Sequence, residues 1–365
     1  MTDIAFFLVN LDGGGAERVM LSLASGFAEK GFKVDLVLVK LEGEYLSLIP
    51  DNLRVINFSH PRLVTSLPLL VNYLKKNRPK VLISALEDPN TLAIIAKILA
   101  RVPTKIVVTL HNHLSRYCTQ SNELKRKITP FLIRWLFPYA DAVVAVSQGV
   151  ADDAVKMSGL SPKQIKVIYN PIFTPDLLDK IHQPVDRPWL AEHQLPVILG
   201  VGRLSKQKDF PTLIRAFALV KQQYPVKLMI LGQGEELTNL EALVAELDLV
   251  DDVAFPGFVA NPYAYMHKAK MLVMSSIFEG FGNVIVEAAI ARTQVVATDC
   301  ESGPSEILAN GKYGRLAKVG DVRSLAAAMI LALESPIDPD LLQRRGQEFS
   351  LETALKKYQQ LLEFS

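Results

Sequence analysis

Short apolar runs alternate with longer stretches of helical period along the whole chain. Residues 4–9, 33–39, 81–85, 105–110 and 142–146 read as strands in the first half. Residues 197–201, 226–231, 252–255, 271–274 and 294–297 read as strands in the second. Nearly continuous apolar runs of this length are the pattern of strands covered on both faces. Alternation with helices predicts parallel sheets wound by helices, an α/β fold. Residues 171–195, which include Pro175, Pro184 and Pro188, read as a linker between domains at 1–170 and 196–345. A last segment, 346–365, contains a helical pattern over 350–362.

Length and composition agree with two cores. A chain of 365 residues is long for one and comfortable for two. A hydrophobic content of 49% against 21% charged excludes a disordered chain. Met1-Thr-Asp3 lacks a basic leader region, so no signal peptide is expected. The apolar run 91–100 is broken by Lys97 and is shorter than the roughly 18 residues a membrane span needs. Cys118 and Cys300 are far apart with no paired spacing, which points to a reduced, cytoplasmic protein without a disulfide framework or zinc site.

The net charge is +2, but it is unevenly spread. From Arg62 to Arg134 there are thirteen Lys and Arg against Glu87, Asp88 and Glu123, a local balance of +10. Residues 124–137 mix Lys125, Arg126, Lys127 and Arg134 with large aliphatic and aromatic side chains. Two readings stand for this segment: a face lying on an anionic membrane surface, or a helix with a core side and a solvated basic side. Nucleic acid is not an expected partner, because no nucleic-acid module accompanies the charge.

The chemistry concentrates in the second half. Glu279 and Glu287 frame the run EGFGNVIVE, between a strand at 271–274 and a helix beginning near Asn283. Asn283 reads as the N-cap of that helix. A helix N-terminus beside a glycine turn can receive an anion, with one carboxylate before the helix and one a turn inside it. Arg203 and Lys208 follow the strand 197–201, where ligands collect at the carboxyl ends of parallel strands. A planar guanidinium and a compact ammonium together suit a diphosphate.

These residues, in this order, resemble the retaining glycosyltransferases of family four. The likeness runs through Gly13-Gly14-Gly15-Ala-Glu17, Thr109-Leu-His111, Val146-Ser147, Ile168-Tyr-Asn170-Pro171, Val201-Gly-Arg203 with Lys208, Leu231-Gly-Gln-Gly234, Phe255-Pro-Gly257 and Glu279-Gly-Phe-Gly to Glu287. The resemblance implies two Rossmann-like domains facing across a cleft, the GT-B architecture, with the C-terminal helix crossing back to the first. It also implies roles. Glu287 would hold the ribose hydroxyls, and Arg203 and Lys208 the leaving diphosphate. Gly257 and Phe258 would border the base, with Gly234 in the neighbouring donor loop. Gly282, Asn283 and Val284 would offer backbone N–H groups to phosphate or sugar. Glu279 would touch the transferred sugar, and Gly14 and Gly15 would let the backbone approach the diphosphate or acceptor. His111 would contact the donor sugar, with His113 as the alternative.

The run Asp299 to Ile307 resembles the branch that builds bacterial surface polysaccharides, often on lipid-linked acceptors. A UDP-N-acetylhexosamine or UDP-hexose is the expected donor, with GDP-mannose as the alternative, and the expected site is the inner face of the cytoplasmic membrane. No cofactor or metal is expected. Asp338-Pro-Asp340 spells a metal-binding DxD but follows a helical stretch and reads as a loop. A nicotinamide enzyme is disfavoured: Gly13/Gly15, Gly200/Gly202 and Gly232/Gly234 each lack the third glycine of the dinucleotide fingerprint. A non-catalytic scaffold of the same fold would be expected to have lost some of Arg203, Lys208, Glu279 and Glu287, and all four are present.

Overall fold

In the computed structural model, which describes residues 2–12, 14–119, 124–191 and 194–363, the apolar runs become parallel strands. The side chains of residues 117, 119, 124–128 and 175 are also outside that description. Among the described residues one sheet has seven strands: β1 (Ile4–Leu8), β2 (Val34–Leu38), β3 (Arg54–Asn57), β4 (Val81–Ala85), β5 (Lys105–Leu110), β6 (Ala142–Ala145) and β7 (Ile165–Val167). Their order is β3-β2-β1-β4-β5-β6-β7. The other has six: β8 (Val197–Val201), β9 (Lys227–Leu231), β10 (Val253–Gly257), β11 (Met271–Met274), β12 (Gln294–Thr298) and β13 (Arg315–Ala317), in the order β10-β9-β8-β11-β12-β13. Both sheets are parallel throughout.

The interior strands β1, β2, β4 and β12 are buried at every position, as their predominantly apolar sequences lead one to expect. The few polar residues among them are hydrogen-bonded: Asp35 to Thr2 and Tyr73, Ser84 to Asn90, Gln294 to the Ile337 carbonyl and Thr298 to the Ser276 carbonyl. Three strands are absent from the sequence reading: β3, β7 and β13. All lie at sheet edges, are three or four residues long, and are only partly buried. An edge strand needs one covered side, so Arg54, Lys166 and Arg315 are tolerated within it and break the apolar run.

The chain divides into two units, Met1–Pro171 with Leu351–Ser365, and Ile172–Ser350. The proline-rich segment 171–195 is more than a connection. It forms the helix Pro175–Ile181 and a turn at Pro188–Leu190, and Asn261 of the second unit bonds the Lys180 carbonyl at 2.9 Å and the Gln183 side chain at 2.8 Å. The second unit likewise keeps the helix Pro339–Gln347, packed on Asn283–Ile290. Gly346 allows that approach, since a Cβ there would lie 2.6 Å from Ile290 Cγ1. The chain then returns, and the helix Leu351–Leu362 packs on Gly15–Glu29 of the first unit, with Leu351 and Leu355 over Gly26.

Each sheet changes direction once, between β1 and β4 and between β8 and β11. In open parallel sheets the loops at the carboxyl ends beside such a switch form the ligand crevice.

Candidate active site

In the second unit the switch point brings together the loops that follow β8 and β11. Lys208, after β8, places its Nζ 2.5 Å from Oε1 of Glu279, after β11. The Ser276 hydroxyl donates to the same oxygen at 2.6 Å. Oε2 of Glu279 has no hydrogen bond among the described residues. One oxygen is therefore anchored and the other is not. The backbone around the pair is laced as well. The Ser275 hydroxyl donates to the Lys208 carbonyl at 2.7 Å, and Gln207 Nε2 to the Phe278 carbonyl at 2.9 Å. Ile277 N donates to the Gln207 carbonyl at 2.8 Å, and Thr298 of β12 holds the Ser276 carbonyl at 2.6 Å.

Ser275, Ser276 and Gln207 were not singled out in the sequence. The available signal is a pair of serines at the carboxyl end of a buried strand, where apolar residues would be the cheaper filling. Cys300 is buried close to this pair. Burial and the nearby Glu279 carboxylate push its thiol up to about 12, so it stays protonated at neutral pH.

Arg203 differs from Lys208. Its side chain is exposed and makes no ion pair among the described residues. The loop that carries it is fixed by backbone contact: Leu204 N bonds the Gln233 carbonyl at 2.9 Å, and Glu236 N the Leu204 carbonyl at 3.0 Å. Gly232 (φ 139°) and Gly234 admit this approach, because a Cβ at either would fall onto the backbone of Gly202 or Leu204. Gly257 (φ 84°) ends β10 and bonds Gly232 N at 2.9 Å, and the next residue, Phe258, is half exposed. These loops stand side by side along one edge of the sheet.

The helix Asn283–Ile290 corrects one expectation. Its cap is Gly282, at φ 95° and ψ 54°, and no side chain caps it; Asn283 is the first helical residue. Glycine is required because the chain turns there through the left-handed region. The first turn presents the backbone of Asn283 and Val284. Glu287, one turn further, is buried and takes a long hydrogen bond from the Tyr263 hydroxyl at 3.4 Å. Gly303 (φ 90°) lies so close under the glycine turn that a Cβ would overlap the Phe281 carbonyl. The loop after β12 thus braces the loop after β11.

Asp338 and Asp340 also need correction. They open the helix Pro339–Gln347 instead of lying in a loop: Asp338 caps it by accepting from Asp340 N at 2.9 Å, and Asp340 pairs with Arg292 at 2.6 Å. Among the described residues no cluster of three or more His, Cys, Asp or Glu has metal-ligand geometry.

The first unit has its own switch-point loops. Gly14 caps the helix Gly15–Glu29 directly beyond β1; Gly13 lies outside the described residues. Beyond β4, Leu86 adopts φ 72° and ψ 157°, a region nearly confined to glycine that costs about 1–3 kcal/mol. The buried Asn90 compensates by tying the following helix to both strands, accepting from Ser84 at 2.7 Å and donating to the Thr109 carbonyl at 2.8 Å.

His111 follows β5 and is buried, with Nε2 3.1 Å from Thr109 Oγ1. The Thr109 hydroxyl already donates to the Ser84 carbonyl at 2.8 Å, so Nε2 is the donor and Nδ1 keeps its lone pair. Burial lowers the His111 pKa to about 4, leaving the ring neutral at pH 7. His113, two residues on, is 3.9 Å from Asp153. Burial alone would raise the Asp153 carboxyl, but hydrogen bonds from His113 and Ser115 outweigh it and hold it below the usual range. His113 is thereby engaged in a structural contact.

Two Rossmann-like sheets with charged and glycine-bearing loops at their carboxyl edges are the components of the GT-B architecture. The chain belongs to glycosyltransferase family four: residues 13–174 match the Glycosyltransferase Family 4 model, and residues 184–349 the model for glycosyl transferases group 1. It is 31% identical over 354 residues to the N-acetylgalactosamine-N,N'-diacetylbacillosaminyl-diphospho-undecaprenol 4-alpha-N-acetylgalactosaminyltransferase of Campylobacter jejuni, covering 94% of this chain and 92% of that protein. It is 28% identical to the lipopolysaccharide core biosynthesis glycosyltransferase LpsE of Rhizobium meliloti, covering 96% of each. Among solved structures, Anabaena Alr3699/HepE in complex with UDP superposes with a TM-score of 0.78 at 23% identity, covering 99% of this chain and 100% of that one. The chain is accordingly a glycosyltransferase of polysaccharide or lipopolysaccharide biosynthesis. No helix among the described residues is long and apolar enough to cross a membrane.

Proposed function

We propose that the enzyme transfers an N-acetylhexosamine, with retention, from its UDP derivative to a saccharide carried on a lipid diphosphate at the cytoplasmic face of a membrane. The observation that carries the reading is the anchored Glu279: one oxygen fixed by Lys208 and Ser276, the other unbonded at the switch point, in the loop that leads into the helix Asn283–Ile290. The relatives support the donor and acceptor classes, since the Campylobacter protein is named as an N-acetylgalactosaminyltransferase acting on a diphospho-undecaprenol saccharide and HepE binds UDP.

In this mechanism Arg203, Lys208 and the backbone N–H groups of Gly282 to Val284 meet the charge that grows on the diphosphate. Preorganised donors of this kind contribute about 2.7–4 kcal/mol each to the transition state. Glu287 accepts from the ribose hydroxyls and Phe258 borders the base. The unbonded Oε2 of Glu279 orients a sugar hydroxyl; in the first unit, Nδ1 of neutral His111 keeps a lone pair that can accept from a ligand hydroxyl. The C1–O bond to the diphosphate breaks, the acceptor oxygen bonds C1 on the same face, and its proton passes to the departing phosphate oxygen. On this route the acceptor oxygen is the nucleophile, and Glu279 positions the sugar.

The test is transfer of labelled sugar to a lipid-diphosphate saccharide, offering UDP-N-acetylgalactosamine, UDP-N-acetylglucosamine, UDP-hexoses and GDP-mannose in parallel. A UDP-N-acetylhexosamine should be used at least tenfold faster than the others, and activity should survive EDTA. Preference for GDP-mannose, or loss on chelation restored by manganese, would overturn the donor or the metal-free chemistry respectively.

A further inference from the structure

Resting on the reading that the turn 279–282 serves the donor, we propose that Arg345 and Phe349 are positioning residues, which set that turn and tie it to the place where the chain leaves the second unit. Neither stands in a donor loop. Arg345 is in the last turn of the helix Pro339–Gln347, and Phe349 lies just beyond it. The Arg345 guanidinium sits between two aromatic rings, 5.3 Å from the Tyr313 centroid and 4.9 Å from that of Phe349. Its Nε donates to the Ile307 carbonyl and its Nη2 to the Glu306 carbonyl, each at 2.8 Å, while Nη1 pairs with Glu348. A planar fork can stack and reach two carbonyls at once; a single ammonium cannot.

Both arms of this bracket end on Phe281, the buried ring of the glycine turn. Glu306 and Ile307 close the short helix Pro304–Ile307, so holding their carbonyls fixes the segment that follows Gly303. Gly303 in turn lies against the Phe281 carbonyl. From the side, the Phe349 ring meets the Phe281 ring edge to face, with centroids 5.5 Å apart. Phe281 comes two residues after Glu279 and directly before Gly282, the left-handed cap of the helix Asn283–Ile290. Its placement therefore sets both the Glu279 backbone and the first N–H groups of that helix.

Phe349 also holds the exits of the chain. Its carbonyl accepts from Ile172 N at 2.9 Å and from Phe173 N at 3.0 Å, and Phe173 bridges Ser350 in parallel. The second unit runs from Ile172 to Ser350, so both passages out of it start at the residue that braces Phe281. A change at either end of this bracket is felt at the other.

Arg345→Lys keeps the charge but loses the stack and one of the two carbonyls. It should lower kcat at least tenfold and leave the KM for the sugar nucleotide within threefold, since misplacing a positioned group by about 1 Å can cost about a hundredfold. Phe349→Leu should do the same, and combining it with Phe281→Leu should cost little more than either alone. Ile214→Val, in the core of the same unit, controls for lost stability and should leave kcat unchanged. Hydrogen exchange gives a readout free of activity. In Arg345→Lys, peptides covering 279–287 and 300–308 should exchange at least fivefold faster, with the helix Phe210–Lys221 unchanged. UDP should slow exchange of the Ile172 and Phe173 amides in the parent and not in Phe349→Leu. Unaltered kcat in both single variants, exchange speeded equally throughout the unit, or the same UDP effect in Phe349→Leu as in the parent would overturn the proposal. Local exchange changes as expected, in a protein that transfers no sugar from any donor, would uphold the bracket and fault the catalytic reading alone.

Discussion

Replacing Glu279 by Gln should have opposite effects on nucleotide binding and on transfer. With no donor bound, the Lys208 ammonium is neutralised by a carboxylate 2.5 Å away. A diphosphate bound on the other side of that ammonium would lie about 5 Å from the carboxylate. At an effective dielectric constant of about 20 the repulsion is about 3 kcal/mol, which solvent in the partly exposed site reduces to about 1 kcal/mol. Glu279→Gln keeps the shape and can still accept from Ser276, but removes the charge. Free UDP should therefore bind about fivefold tighter to the variant in isothermal titration calorimetry. Transfer should nonetheless fall about ten- to a hundredfold, because a hydrogen bond from the sugar to a charged acceptor, worth about 1.5–3 kcal/mol, is weakened. Lys208→Met should weaken UDP binding, and in the double variant the gain from Gln should disappear. If Glu279→Gln binds UDP more weakly than the parent, or Lys208→Met binds it equally well, the pair does not compete with the diphosphate and the reasoning fails.

Three further outcomes are expected. Glu287→Ala should weaken UDP about tenfold or more by titration, and unchanged affinity would remove its ribose role. His111 titrates near 4 when folded against about 6.5 when unfolded, so the unfolded state takes its proton first. Its contribution is full above pH 6.5 and is lost as pH falls toward 4, by up to about 3 kcal/mol; His111→Gln should flatten the decline in melting temperature between pH 7 and 4.5, and an identical decline would contradict the buried neutral ring. Gly303→Ala forces a Cβ onto the Phe281 carbonyl at φ 90°, so urea unfolding should lose about 1–3 kcal/mol or more and transfer should drop with it; an unmoved midpoint would mean that the two loops are not braced there.

The sequence by itself determined the α/β class, the interior strands and the order of the donor loops. A strand covered on both faces is built mostly from apolar residues, so β1, β8 and β11 were legible as uninterrupted runs, and Arg203, Lys208, Glu279 and Glu287 stood beyond the ends of β8 and β11. The edge strands β3, β7 and β13 were not legible, because a strand covered on one side tolerates Arg54, Lys166 and Arg315. Nor was the cap at Gly282: Asn283 has the side chain of a cap, but the backbone must pass through a left-handed conformation one residue earlier, and that demand comes from the loop packed beneath it. Only the tertiary structure decided which partners the charged groups have. Lys208 and Glu279 are separated by 71 residues, and no local pattern says that they share a bond with Ser276 while Arg203 stays solvated. It also decided the state of His111. Its neutrality comes from burial behind Thr109 and the ends of two neighbouring strands, and desolvation is a property of what surrounds a ring in space.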